Sequence, residues 1–205
     1  MPSPPHNSST AESHSAQPVP AETNEYARKE RALLLRLAHE AIESSLEHRT
    51  LDLDPPSPHL AEPRGVFTTL YLLGELRGCV GYVLPVASLY RAVAETARAA
   101  ASQDVRFQPV SREEAPQLQI SLSVLSPLTP IDPDRVEIGR HGLVVSLGSQ
   151  RGLLLPQVPI EHHWDRLTFL EQTCRKAGLP ADAWKAGATL AAFTAEVFGD
   201  PENPS

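Results

Sequence analysis

The sequence predicts an α+β fold in which antiparallel β-hairpins and sheets pack against helices. Two pairs of β-rich segments are each separated by a short turn that contains glycine, which is typical of a β-hairpin. Between the two pairs, residues 117–126 alternate apolar and polar side chains, as a half-buried antiparallel strand does. Apolar residues elsewhere recur at helical spacing, so helices are expected to cover these strands.

Three helices are predicted. The first spans residues 24–49, whose apolar side chains fall on one side, and the second spans 86–102, which is rich in alanine. The third spans 161–177, with Gly178 as its C-cap. The inward-facing residues of this third helix are predicted to be Trp164, Leu167, Leu170 and Cys174.

Six strands are predicted around these helices. They comprise residues 66–72, 76–84, 117–126, 143–147, 151–155 and 188–198. The first hairpin turns near residues 73–75 and the second at 148–150. Ser111 and Glu114 have the spacing of a capping box that begins a short turn before Pro116.

The ends of the chain are predicted to be tails. Residues 1–23 are mostly Pro, Ser, Ala and Thr and cannot bury enough apolar surface to offset the entropy of ordering. We therefore expect a disordered tail at 1–23, one folded domain at 24–199 and a second tail at 200–205.

The composition argues against nucleic acid and membrane partners. The 205 residues carry a formal net charge of -7, and the sequence pI is about 5.6. No apolar run approaches the ~20 residues that a bilayer-spanning helix needs, and no signal peptide is recognisable. Because Cys79 and Cys174 are far apart in such a chain, they fit reduced thiols better than a disulfide framework. A cytoplasmic protein is expected.

The run LRGCVG, residues 76–81, is the least generic stretch of the chain. It places Arg77 and Cys79 beside Gly78 and Gly81 on the second strand of the first hairpin, where period-two alternation aligns Arg77, Cys79 and Gly81 on one face. A thiol near a guanidinium and unobstructed backbone amides has the features of a nucleophile. A buried structural cysteine is the alternative interpretation of the same residues.

A base for such a nucleophile cannot be assigned from local sequence. His141 lies between Gly139 and Gly142 at the start of a strand, and it is the candidate to move a proton. Asp104 and Arg106 form a pair of opposite charges that either holds a loop or serves the site. Adjacent His162 and His163 would point about 100° apart on a helix, so no metal site is predicted. No cofactor motif is present.

An ordered series of sequence blocks resembles the AMMECR family, whose bacterial and archaeal members are called AmmeMemoRadiSam system protein A. The blocks, in chain order, are GVFTTL, LRGCVG, DVRFQPV, LQISLSVLS, IGRHGLVV, LLLPQV, WDRLTFL and CRKAGL. They cover about residues 26–198. The family motif usually reads LRGCIG, so Val80 is a conservative departure.

The resemblance implies two unequal subdomains that share one core and contain antiparallel sheets. It also implies association with a Memo-type protein, related to extradiol dioxygenases, and with a radical-SAM enzyme. The matching motif positions of this chain are Arg77, Gly78, Cys79, Gly81, Asp104, Arg106, Phe107, His141, Gly142, Pro156, Gln157 and Trp164.

Two functions from different classes follow. In the first, the protein is a component of that system with a ligand or active site around LRGCVG, or alternatively a cysteine-dependent transferase or hydrolase. Cys79 would form a covalent intermediate, Arg77 or Arg106 would hold a small anionic ligand, and His141 would move a proton. In the second, the protein is a non-catalytic scaffold or binding module that recognises a partner through the same surface.

Overall fold

The computed structural model describes residues 25–201, which form five α-helices and two four-stranded antiparallel sheets. The helices are α1 (Arg28–Leu46), α2 (Pro58–Ala61), α3 (Leu89–Ser102), α4 (Val158–Glu161) and α5 (Arg166–Lys176). The strands are β1 (Val66–Leu72), β2 (Glu75–Tyr82), β3 (Leu118–Leu125), β4 (Thr129–Pro130), β5 (Gly142–Leu147), β6 (Gln150–Leu154), β7 (Thr189–Phe193) and β8 (Ala195–Gly199). The tail predicted at residues 1–23 lies outside the described range. No helix within that range has the length and apolar character needed to cross a bilayer.

The first sheet has the strand order β2-β1-β3-β8 and is covered on one face by helices. α3 packs against β1 and β2, and α1 packs against α3 and β3. Along β3, Ile120 and Leu122 are buried whereas Gln119 and Ser121 are half-exposed, which confirms the predicted alternation. The helices therefore cover the apolar face of β3, and the polar side chains of this strand lie on the opposite face.

The second sheet has the strand order β4-β7-β5-β6, and α5 packs on β5 and β6. Leu170 and Cys174 of α5 are buried against this sheet, as predicted. The C-cap is Ala177, and Gly178, predicted as the cap, follows it with φ +73, the left-handed conformation that ends the helix.

The segment predicted as one strand, residues 188–198, is two strands that belong to different sheets. β7 pairs with β5 in the second sheet, and β8 pairs with β3 in the first. Between them, Thr194 forms two hydrogen bonds with Ser126: Ser126 N donates to the Thr194 carbonyl oxygen at 2.9 Å, and Thr194 N donates to the side-chain Oγ of Ser126 at 3.0 Å. The prediction of a single strand was wrong because the chain crosses between sheets at this point.

A small apolar cluster joins the two sheets. Buried Leu125, Val144 and Phe193 come from both sheets, and Phe67 of β1 packs against them. The architecture is the predicted α+β fold with two unequal parts that share packed side chains. The larger part holds the first sheet with α1 and α3, and the smaller part holds the second sheet with α5.

The third predicted helix is interrupted. The chain turns between α4 and α5, where His163 has φ 53, and α5 begins only after Asp165. Asp165 Oδ1 accepts a hydrogen bond from Thr168 N at 2.7 Å, a side-chain N-cap that restarts the helix. Trp164 therefore lies in the turn rather than on the helix. Leu167 is 47% exposed, so its predicted inward position was wrong.

Asp200, predicted as the first residue of a C-terminal tail, makes contacts within the fold. Its Oδ2 lies 2.7 Å from His39 Nε2 and accepts a hydrogen bond from Ile120 N at 2.8 Å. These contacts with α1 and β3 fix the chain just after β8. Residues 202–205 lie outside the described range.

Candidate functional site

The LRGCVG motif lies on β2, at an edge of the first sheet. The pairing of β1 with β2 shifts at a β-bulge between Leu70 and Tyr71, where Arg77 is the extra residue of β2. The period-two alignment predicted for Arg77 and Cys79 is interrupted by this bulge. The two side chains accordingly have different partners.

Arg77 is held inside a network of the protein's own groups. Its guanidinium bonds both carboxylate oxygens of Glu114 at 3.0 and 2.9 Å and the backbone oxygens of Gln108 and Pro109 at 2.7 and 3.3 Å. Glu114 also completes the predicted capping box with Ser111. Hydrogen bonds from Arg77 hold the pKa of Glu114 below its usual value. Arg77, 15% exposed, therefore fixes the loop beside the motif.

The motif glycines make room for neighbouring protein groups. A Cβ at Gly78 would collide with the carbonyl oxygen of Ala100 in α3, and one at Gly81 would collide with the Phe67 ring and the Val66 carbonyl oxygen. Gly78 is thus required for the close approach of α3 to the sheet. The space above both glycines, predicted as binding positions, is filled by the fold itself.

Cys79 presents its thiol on the face of the sheet opposite the helices. Its Sγ accepts a hydrogen bond from Thr69 Oγ1 at 3.3 Å, and its backbone N donates to Asp104 Oδ2 at 2.8 Å. The residue is half-buried. By contrast, Cys174 is 0% exposed.

Asp104 and Arg106 form the charged side of the site. Arg106 Nη2 and Nε donate to the two carboxylate oxygens of Asp104 at 2.6 and 2.9 Å. The hydrogen bond from Arg106 chiefly holds the pKa of Asp104 well below its usual range. Burial of the carboxylate opposes this effect, and the hydrogen bond from Cys79 N adds to it. The pKa of Arg106 is raised, chiefly by its hydrogen bond to Asp104. The nearby Cys79 sulfur adds to this increase. Arg106 also lies 5.4 Å from the Phe107 ring centroid.

A row of small residues runs across the first sheet from the thiol. Cys79 pairs with Thr69, Thr69 with Ser121, and Ser121 with Gly199, so these four residues form a register row that we call the thiol row. Because Gly78 faces α3, its neighbour Cys79 and the rest of the row lie on the opposite face. The first three residues are half-exposed and Gly199 is exposed. The face beside the thiol is therefore accessible.

His141 lies in the smaller part of the fold, just before β5. Its Nδ1 accepts a hydrogen bond from Glu137 N at 3.0 Å, and its backbone N donates to Glu137 O at 3.0 Å. Among residues 25–201, the hydrogen-bond partner of Cys79 Sγ is Thr69, and no hydrogen bond joins the thiol to His141. The structure therefore does not bring the predicted nucleophile and proton carrier into contact.

The other predicted positions also belong to the smaller part. Gln157 is exposed at the start of α4, and Trp164 stacks on His162 with ring centroids 4.7 Å apart. Gly142 leaves space for the Phe193 ring, with which a Cβ at this position would collide. The sequence-predicted residues thus fall into two groups, one around β2 and one around the second sheet. Across the described residues, no cluster of three or more His, Cys, Asp and Glu side chains is arranged to hold a metal.

Two residues of the site were not predicted from the sequence. Thr69 donates to the thiol, and Glu114 anchors the arginine of the motif. The signal for Thr69 was available, because a hairpin that turns near residues 73–75 places it opposite Cys79. Glu114 was recognised only as part of a capping box.

The fold and site define an α+β protein with two antiparallel sheets and a thiol displayed on a half-open sheet face. The AMMECR1 family model matches residues 35–198, and the chain belongs to this family. A protein of Methanopyrus kandleri is 43% identical over 190 residues, covering 86% of this chain and 92% of the relative. A protein of Thermococcus gammatolerans is 43% identical over 188 residues, covering 83% and 91%. The crystal structure of an uncharacterized Pyrococcus horikoshii protein has 40% identity and a TM-score of 0.72, covering 84% of this chain and 93% of that one.

Proposed function

We propose that the protein is a thiol-bearing component of a multi-protein system, with its ligand or active site at the thiol row. The observation that supports this is the half-buried residue Cys79, whose sulfur accepts a hydrogen bond from Thr69 and lies near Arg106 on the face opposite the helices. The family resemblance suggests a Memo-type protein and a radical-SAM enzyme as the other components.

The chemistry of the site suits a cysteine nucleophile or thiol ligand for an anionic molecule. Thr69 Oγ1 orients the sulfur through its hydrogen bond, and a guanidinium beside the sulfur can hold an anionic group. Arg106 is 55% exposed, so its guanidinium can contact a ligand while it stays paired with Asp104. Because Cys79 has no bonded base among the described residues, its proton would pass to solvent at this half-open face. Cys79 and Arg106 keep the predicted roles in this proposal, whereas Arg77 is a structural residue.

Alkylation by iodoacetamide tests the accessibility and reactivity of the thiol. In the folded protein, Cys79 should react at least about 100-fold faster than Cys174, which must await local opening. Burial raises the pKa of the Cys174 thiol, which adds to the difference. Mass spectrometry of tryptic peptides after timed quenching gives both rates.

A matched pair of variants identifies the cause. Thr69→Val should slow Cys79 labelling roughly two- to tenfold, the equivalent of one lost hydrogen bond. Ser121→Ala lies in the same row without a bond to the sulfur and should leave the rate unchanged. Equal labelling of the two cysteines, or no labelling of Cys79, would refute a reactive thiol.

A binding-module function is favoured by a different observation. Val105 is 100% exposed at the tip of the loop that carries Asp104 and Arg106, so an apolar side chain stands in solvent beside the thiol row. An apolar residue next to the exposed side of the Arg106 guanidinium suits recognition of a partner protein, here the Memo-type or radical-SAM component.

Capture of tagged protein under reducing, anaerobic conditions distinguishes this function from catalysis. Val105→Asp and Arg106→Ala should each reduce recovery of a Memo-type or radical-SAM protein about tenfold, whereas Cys79→Ser should leave it unchanged. Arg91→Ala, an exposed arginine on α3, is the charge control. Failure to recover either component with the unaltered protein would contradict the binding-module function.

A further inference from the structure

A polar cavity lies in the smaller part of the fold, away from the thiol row. It has a volume of about 590 Å³ and is formed by the connection from β4 to β5 together with the first residue of α5. No residue of the thiol row lines it. Cavities of a few hundred to a thousand cubic ångströms are of the size that holds small molecules.

The cavity is lined by charged residues of both signs, and four of them form no ion pair among the described residues. Arg140 is paired with Glu137 at 3.1 Å, which removes one charge of each sign. Arg166 donates to the backbone oxygen of Asp134, so its positive charge has no carboxylate partner among the described residues. Arg135 and the Asp134 carboxylate also lack an ion pair within the described range.

Asp132 adds a second carboxylate to the lining. Its side chain makes no capping hydrogen bond at the short 3-10 turn Pro133–Arg135 that it precedes. After the Arg140–Glu137 pair is set aside, the charged residues that line the cavity are Arg135, Arg166, Asp132 and Asp134. Such a site rewards a ligand that carries one anionic and one cationic group and penalises a simple polyanion.

His141 supplies a directed neutral donor. Its Nδ1 is occupied as an acceptor by Glu137 N, which leaves the ring proton on Nε2. Burial, aided by Arg140 and opposed by Glu137, lowers the pKa of His141, so the ring is neutral near pH 7. Within residues 25–201, Nε2 has no hydrogen-bond partner, and the side chain lines the cavity.

We propose that this cavity binds a small zwitterionic ligand of the amino-acid class, with a carboxylate, an ammonium group and a short apolar side chain. Arg135 and Arg166 hold the carboxylate together with His141 Nε2–H, because guanidinium and N–H donors match carboxylate oxygens. Asp132 and Asp134 hold the ammonium group. Ile131 and buried Val136 form the apolar wall.

Three related probes test the charge requirement. L-valine has both charged groups, isovalerate lacks the ammonium group, and isobutylamine lacks the carboxylate. Isothermal titration of the full chain should give L-valine a Kd on the order of 1 mM or tighter, and at least tenfold weaker binding of the other two. Inorganic phosphate serves as the anion-only probe and should bind no more tightly than isovalerate.

Variants locate the binding. Arg135→Ala and Asp132→Asn should each weaken L-valine at least tenfold, while Arg151→Ala, an exposed arginine of β6, should have no effect. His141→Gln should weaken it less than His141→Phe, which removes the donor. Equal affinity for isovalerate or phosphate, no binding of L-valine, or binding that survives Arg135→Ala would overturn the proposal. Because the Cys79 labelling test uses a different surface, either result leaves that test intact.

Discussion

Gly78→Ala should lower the free energy of unfolding by about 3 kcal/mol, near the upper end of the usual cost of overpacking. The added methyl group would collide with the Ala100 carbonyl oxygen, which belongs to the backbone of α3. This helix cannot simply move away, because it also packs against α1 and β1. Urea unfolding followed by circular dichroism measures the change.

Gly74→Ala is the control for this substitution. Gly74 lies in the turn of the same hairpin with φ +83, and nothing lies within 4 Å of the position of its missing Cβ. The control should therefore cost only about 1–2 kcal/mol, from backbone strain. If Gly78→Ala costs no more than Gly74→Ala, the close approach of α3 does not explain the glycine of the motif.

The parts of the fold that were predictable are those governed by local patterns. The alternation along residues 117–126 identified β3, because every second side chain faces the helices. The Ser111 and Glu114 spacing identified the capping box, and Gly178 the end of α5. Each of these depends on contacts between residues close in sequence or on one repeated period.

The errors come from features that local patterns do not encode. The run of residues 188–198 is mostly apolar, so its periodicity carries no clear sign that the chain changes sheets at Thr194. Asp165 was a usable N-cap signal, but a histidine gives only a weak indication of the left-handed backbone found at His163. The predicted helix therefore continued through a real turn.

The site shows the same division. Placing Cys79 on the second strand of a hairpin was correct, and the hairpin register gives Thr69 as its neighbour. The contact between this strand and the loop that carries Asp104 depends on the tertiary fold, since the whole of α3 separates Asp104 from Cys79 in the sequence. For the same reason, the sequence could not show that His141 lines a cavity away from the Cys79 thiol.

Asp104→Asn should destabilise the protein by about 2–3 kcal/mol at pH 7, the range for charge-assisted hydrogen bonds with a buried partner. The carboxylate side chain is only 6% exposed and accepts bonds from Cys79 N and from Arg106. An asparagine can still accept from Cys79, but its amide group turns a donor toward the Arg106 donors. Urea unfolding at a series of pH values measures the difference from the unaltered protein.

The pH dependence separates this charge network from simple packing. Because the folded-state pKa of Asp104 is held well below its usual range, its contribution is present above the unfolded pKa of about 3.9 and is lost as the pH falls through the folded value. The stability difference between Asp104→Asn and the unaltered protein should therefore shrink below pH ~4. Asp54→Asn, at an exposed position, should cost less than about 0.5 kcal/mol. A deficit for Asp104→Asn that stays constant at acidic pH would mean that the side chain acts through shape, and that the charge pair with Arg106 does not hold the loop beside the thiol.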